Sequence, residues 1–70
     1  MKHLKVLNIL KGKELTAEEI SREVRISHPE VRRILLRLAE QGKVESFQKE
    51  GKILWRLKQR TREEEEFKYV

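Results

Sequence analysis

The chain has 70 residues, 17 Lys and Arg against 12 acids, no cysteine and a formal net charge of +5 at pH 7. That length describes one domain near the lower limit for folding on apolar packing alone, and the absence of cysteine excludes disulfides, a zinc knuckle and thiol chemistry. No apolar run approaches the roughly 20 residues of a membrane-spanning helix, and "MKHLKVLNILKGK" is too polar for a secretory signal and lacks a small-residue cleavage site, so a cytoplasmic location is expected.

Leu4, Leu7 and Leu10, with Val6 between them, recur at helical spacing and predict a first helix from residue 2 or 3 to about 11, stopped by Gly12. "KEL" reads as a short extended piece with Leu15 inward. Thr16 followed by Glu19 forms a capping box, in which each side chain satisfies a free amide of the other residue. A second helix of eight or nine residues follows, with Ala17, Ile20 and Val24 on one face. "RISH" is the turn. Ser27 with Glu30 predicts a second capping box, and Pro29 sits in the first helical turn, where its missing N–H costs nothing. The third helix spans about 28–41, buries Val31, Ile34, Leu35 and Leu38, and ends at Gly42.

After Gly42 the apolar period changes from 3.6 to 2. "KVESFQ" and "KILWRL" alternate around "KEGK", where Gly51 supplies the positive φ of a β-hairpin turn. Ile53, Trp55 and Leu57 share one face of the second strand, and Lys52, Leu54 and Arg56 the other. "KEL" is placed to add a short third strand. Residues 58–70, "KQRTREEEEFKYV", form a charged tail in which Thr61 with Glu64 is able to cap a short helix; disorder is an equal alternative. The predicted class is α+β, three helices plus a C-terminal hairpin, in one domain over residues 1–57.

The charge is unevenly placed. Residues 1–57 carry thirteen basic and eight acidic residues, whereas residues 58–70 carry four of each. A basic globular part suits a polyanionic partner. The plainer alternative is a solvated surface of a heat-stable protein: the acids are all glutamate and Asn8 is the one asparagine, a composition associated with hyperthermophiles.

The order of elements resembles the winged helix-turn-helix family, carried by "LTAEEISREVRISHPEVRRILLRLAEQGKVESF" and the wing "QKEGKILWRL", over residues 3–57. "VRRILLRLAEQGKV" is similar to the third helix and wing entry of MarR-like and ArsR-like regulators. A weaker similarity links "PEVRRILLRLAEQGKVESF" and the following "LW" to Z-alpha domains, with Trp55 at the position of their wing tryptophan. Arg32 and Leu36 replace the Asn and Tyr those domains carry on the third helix, and their wing prolines are absent.

The resemblance implies duplex DNA binding, with the third helix in the major groove and the wing on the backbone. With Val31, Ile34, Leu35 and Leu38 inward, the outer side of the third helix carries Arg33 and Leu36, flanked by Arg32 and Arg37. Arg32 and Arg33 are the leading candidates for base edges or phosphates. Ser27 and His28 stand at the helix N-terminus, which favours phosphate, and Arg37 is expected to reach backbone. Leu36 fits a thymine methyl or a protein interface. The wing offers Lys49, Lys52 and Arg56. Against these readings stand surface pairs Glu30–Arg33 and Arg37–Glu40, a wing whose lysines only protect an edge strand, and Trp55 as core rather than a stacking platform. Helix two is net acidic, with Glu18, Glu19 and Glu23, which limits how closely it approaches DNA.

A small transcriptional regulator binding double-stranded DNA is therefore expected, with a possible homodimer through the first helix or the tail. The alternative is a winged helix that serves as a protein-contact module of a larger complex, using Leu36, the acidic second helix and the aromatic tail end. RNA binding ranks lower because the hairpin lacks exposed stacking aromatics. No cofactor, metal or small-molecule ligand is evident. No enzyme is expected, because there is no aspartate, no glycine-rich phosphate loop and no Ser–His pair at a readable spacing.

Overall fold

A computed structural model describes residues 1–58 of the chain. The element order is α1 (Lys2–Ile9), α2 (Ala17–Val24), α3 (His28–Glu40), β1 (Val44–Lys49) and β2 (Lys52–Leu57). This is the predicted sequence of three helices and a hairpin. The cap expected at Thr61–Glu64 and the rest of the tail lie outside the described residues.

The three helices pack pairwise, β1 lies against α3, and β2 lies against α2. Val6, Leu10, Ile20, Ile26, Val31, Ile34, Leu35, Leu38 and Val44 are buried at their centre. The predicted stripe of α3 is thus entirely buried, and Ile26 joins it from the turn. The first helix differs from expectation in two ways. It ends at Ile9, with Leu10 and Lys11 turning back to the carbonyls of Leu7 and Asn8, so Gly12 (φ +68) shapes the following turn rather than the helix end. Leu4 is 55% exposed, because the core face is set by Val6 and Leu10, one helical turn apart, and Leu4 stands about 200° from Val6 around the axis.

Local chemistry fixes the helix-turn-helix. Thr16 Oγ1 accepts the Glu19 N–H at 3.1 Å and Glu19 Oε1 accepts the Thr16 N–H at 2.9 Å, the predicted capping box. At the other end of α2, Arg25 takes a left-handed conformation (φ 57, ψ 42). Ser21 pins this turn twice: its carbonyl accepts the Ile26 N–H, and its hydroxyl donates to the Ile26 carbonyl. Gly42 (φ +74) then ends α3 with N–H bonds from Gly42 to Ala39 and from Lys43 to Leu38, a Schellman arrangement.

The second capping box forms only by half. Ser27 Oγ accepts the Glu30 N–H at 3.4 Å, but the Glu30 carboxylate binds Lys2 Nζ of α1 at 2.6 Å instead of returning to Ser27. A charged partner on the neighbouring helix outcompetes a neutral amide.

β1 and β2 pair antiparallel, with Val44 opposite Leu57, Ser46 opposite Trp55 and Lys49 opposite Lys52. The two-residue turn between them has positive φ at both Glu50 (52°) and Gly51 (77°), the type I′ geometry that matches strand twist. The "KEL" strand shrinks to one antiparallel bridge, in which Leu15 and Trp55 exchange N–H···O bonds of 3.1 and 2.7 Å. It ties the α1–α2 connection to the free edge of β2.

Candidate nucleic-acid interface

Burying Val31, Ile34, Leu35 and Leu38 turns the rest of α3 outward. Ser27, His28, Arg32, Arg33, Leu36 and Arg37 are all exposed, as are Lys49, Lys52 and Arg56 of the hairpin. The wing divides the α3 residues into two groups. His28, Arg32 and Leu36 follow one another at intervals of four and form a single line along α3. This line is one wall of an open cleft of about 580 Å³ whose other walls are Lys52, Ile53 and Trp55 of β2 and the first turns of α2. Arg33 and Arg37 face the opposite flank, a groove of about 370 Å³ shared with His3, Glu30 and Glu40. Leu36 lines both and so forms the ridge between them.

Among the described residues, Arg32, Arg33, Arg37, Lys49 and Lys52 make no ion pair. The surface pairs Glu30–Arg33 and Arg37–Glu40, the alternative to a nucleic-acid role, do not form, and Glu30 is taken by Lys2. Among the described residues, the guanidinium groups on the outer face of α3 are therefore unpaired, and Glu30 of the same helix is neutralised from α1.

Arg56 is differently placed. Its Nε donates to Glu45 Oε2 at 2.8 Å, its Nη1 lies 3.5 Å from Glu14 Oε2, and its guanidinium sits 4.5 Å from the centre of the Phe47 ring. The Glu45 hydrogen bond raises the guanidinium pKa further. Arg56 lines a separate cleft that no α3 residue borders. The alternation of β2 foretells this, because Arg56 lies on the face opposite Trp55, but its two acidic partners come from elsewhere in the chain.

Two cleft residues escaped the sequence reading. Ile53 shares the face of Trp55 yet is 59% exposed, since it lies past the end of the core near the wing turn. Arg22 of α2 also lines the cleft. Trp55 packs against the core, as expected, and is only half-buried because it also lines the cleft.

The α2 acids Glu18 and Glu19 are the unfavourable element for an anion here. Glu19 is held in the capping box, and the hydrogen bonds from Thr16 lower its pKa, with Lys52 and Arg22 lowering it further. Its charge is held near neutrality chiefly by Thr16, and neither Lys52 nor Arg22 forms an ion pair with it.

Comparison with known proteins decides the family. The model of the TFIIE alpha subunit family matches residues 1–65. The chain belongs to the TFIIE alpha subunit family. No curated protein matches this family member. Among solved structures it is similar to the transcriptional regulator HlyU of Vibrio vulnificus CMCP6, at 21% identity over 94% of this chain and 67% of that one, with a TM-score of 0.77. HlyU of Vibrio cholerae N16961 gives 20% identity, 96% and 72% coverage and a TM-score of 0.75. The Zalpha domain of Carassius auratus PKZ, solved in complex with Z-DNA, gives 21% identity, 79% and 89% coverage and a TM-score of 0.69. These similarities establish the winged helix-turn-helix fold. Among the described residues no cluster of His, Cys, Asp or Glu is placed to hold a metal ion, and no helix is long and apolar enough to cross a membrane.

Proposed function

We propose that this TFIIE alpha family member binds double-stranded DNA as a small cytoplasmic transcriptional regulator, with α3 in the major groove and the wing on the backbone. One observation carries the reading: Arg32 and Lys52 stand on opposite walls of one cleft, and neither is spent on an ion pair among the described residues. Arg32 is suited to the O6 and N7 acceptors of guanine or to a phosphate. Arg33 and Arg37, on the other flank of the Leu36 ridge, are suited to the facing strand's phosphates. Ser27 and His28 present donors at the α3 N-terminus, where the helix dipole favours anions.

The wing tip supports the same partner. Lys49 and Lys52 are directly opposite in the ladder, an arrangement that costs stability in isolation and is relieved by an anion between them. HlyU, a transcriptional regulator, and a Zalpha domain crystallised with Z-DNA share the fold, which supports the reading by analogy. A pair of copies joined through exposed Met1 and through Leu4 of α1 suits a two-fold site.

Fluorescence anisotropy of a labelled duplex tests the proposal. Replacing Arg32 and Lys52 together by alanine is expected to cost about 1–3 kcal/mol of binding, while Arg56→Ala leaves affinity near that of the parent. Equal affinity of the double variant and the parent contradicts it. A folded chain that leaves duplexes unbound at low salt favours the protein-contact alternative.

A further inference from the structure

The cleft between α3 and the wing carries Arg22, Arg32 and Lys52 against Glu18 and Glu19. Its walls also carry apolar surface: Leu36 and Ile53 are 58% and 59% exposed, and half-buried Trp55 lines the cleft beside them. Solvating two large aliphatic side chains at the centre of a polyanion-binding face is costly unless the partner covers them with apolar atoms of its own. Phosphates supply none. In the major groove, the apolar group presented by a base edge is the C5-methyl of thymine.

We infer that Leu36, supported by Ile53, contacts thymine methyl groups and so gives the cleft a preference for thymine about two base steps from the base pair approached by Arg32. The inference rests on the duplex-binding reading above and adds the chemical feature that is read. The spacing agrees. Arg32 and Leu36 are four residues apart, about 6 Å along the helix, which corresponds to roughly two base steps of about 3.4 Å. The lining keeps an excess of positive charge, with Arg22, Arg32 and Lys52 against Glu18 and Glu19. Burying one methyl against aliphatic carbon changes affinity by roughly fourfold.

The probes are an alternating dA·dT duplex and the matching dA·dU duplex, which differ in the C5-methyl groups alone. The full chain is measured by anisotropy beside Leu36→Ala, an exposed position whose truncation leaves the fold intact, as circular dichroism melting verifies. The expected result is binding of the dA·dT duplex about fourfold or more tighter than the dA·dU duplex, collapsing toward equality in Leu36→Ala. Any discrimination due to duplex shape survives in that variant, so persistence of the full preference after Leu36→Ala overturns the assignment. Equal affinity of the parent chain for both duplexes overturns the methyl contact and leaves duplex binding standing. No binding of either at low salt removes both.

Discussion

Lys49 and Lys52 face each other across the Glu50–Gly51 turn, the last register pair of the wing. Like charges opposed in a ladder destabilise it, and opposite charges stabilise it by about 0.2–1 kcal/mol. Lys49→Glu is therefore expected to raise the melting temperature by a few degrees while weakening duplex binding and lowering the salt slope by about one. Opposite signs in the two measurements identify a position kept for binding rather than for stability. A variant that loses both stability and affinity contradicts that assignment.

The turn itself holds a second such position. Glu50 adopts φ 52°, a left-handed conformation unfavourable for glutamate. Asparagine tolerates it and is favoured in type I′ turns, so Glu50→Asn is expected to stabilise the domain by about 0.5–1 kcal/mol. Removing an acid from the wing tip strengthens duplex binding as well. Thermal melting and anisotropy on the same preparation check both effects.

Leu35 and Leu36 are neighbours with opposite roles. Leu35 is fully buried and Leu36 is 58% exposed. Leu35→Ala is expected to cost about 2–5 kcal/mol through the lost transfer energy and the cavity left behind, enough to unfold much of so small a domain. Leu36→Ala is expected to change stability by less than about 0.5 kcal/mol. Urea unfolding followed by circular dichroism distinguishes them.

Glu19 makes stability pH-dependent. Thr16 hydrogen bonds hold its folded pKa below the ordinary glutamate value. Its contribution is thus complete above the unfolded pKa of about 4.3 and is lost as pH falls through the lower, folded value. The melting temperature is expected to drop on acidification below about pH 5, and to drop less steeply in Glu19→Gln, which keeps an acceptor for the Thr16 N–H. Parallel pH profiles for the two proteins contradict the assignment.

The parts of this fold that depend on neighbours in sequence were legible there. The Thr16–Glu19 box, the α3 stripe and the Gly51 turn each use residues whose successive members lie within four positions. What was not legible depends on distant segments. Glu30 abandons its own helix cap for Lys2, 28 residues away. Arg56 is claimed by Glu14 and Glu45, so a side chain that reads as a wing cation is held in an ion-pair network. Arg32 and Arg33 are adjacent in the chain, yet a rotation of about 100° between them puts one against the wing and the other on the far flank of Leu36. Where the wing lies over α3 is a tertiary fact, and the apolar periodicity does not encode it. The same holds for Ile53, whose strand phase points inward although the core does not extend that far.

The most direct measurement is the affinity of the full chain for duplex DNA as a function of salt. Each cation of the α3 and wing face that neutralises a phosphate releases counterions, so log affinity should fall linearly with log salt concentration, with a slope on the order of −3 to −5. Arg32→Ala combined with Lys52→Ala should make that slope shallower by about two. Absence of duplex binding at low salt, or an affinity indifferent to salt, contradicts the account.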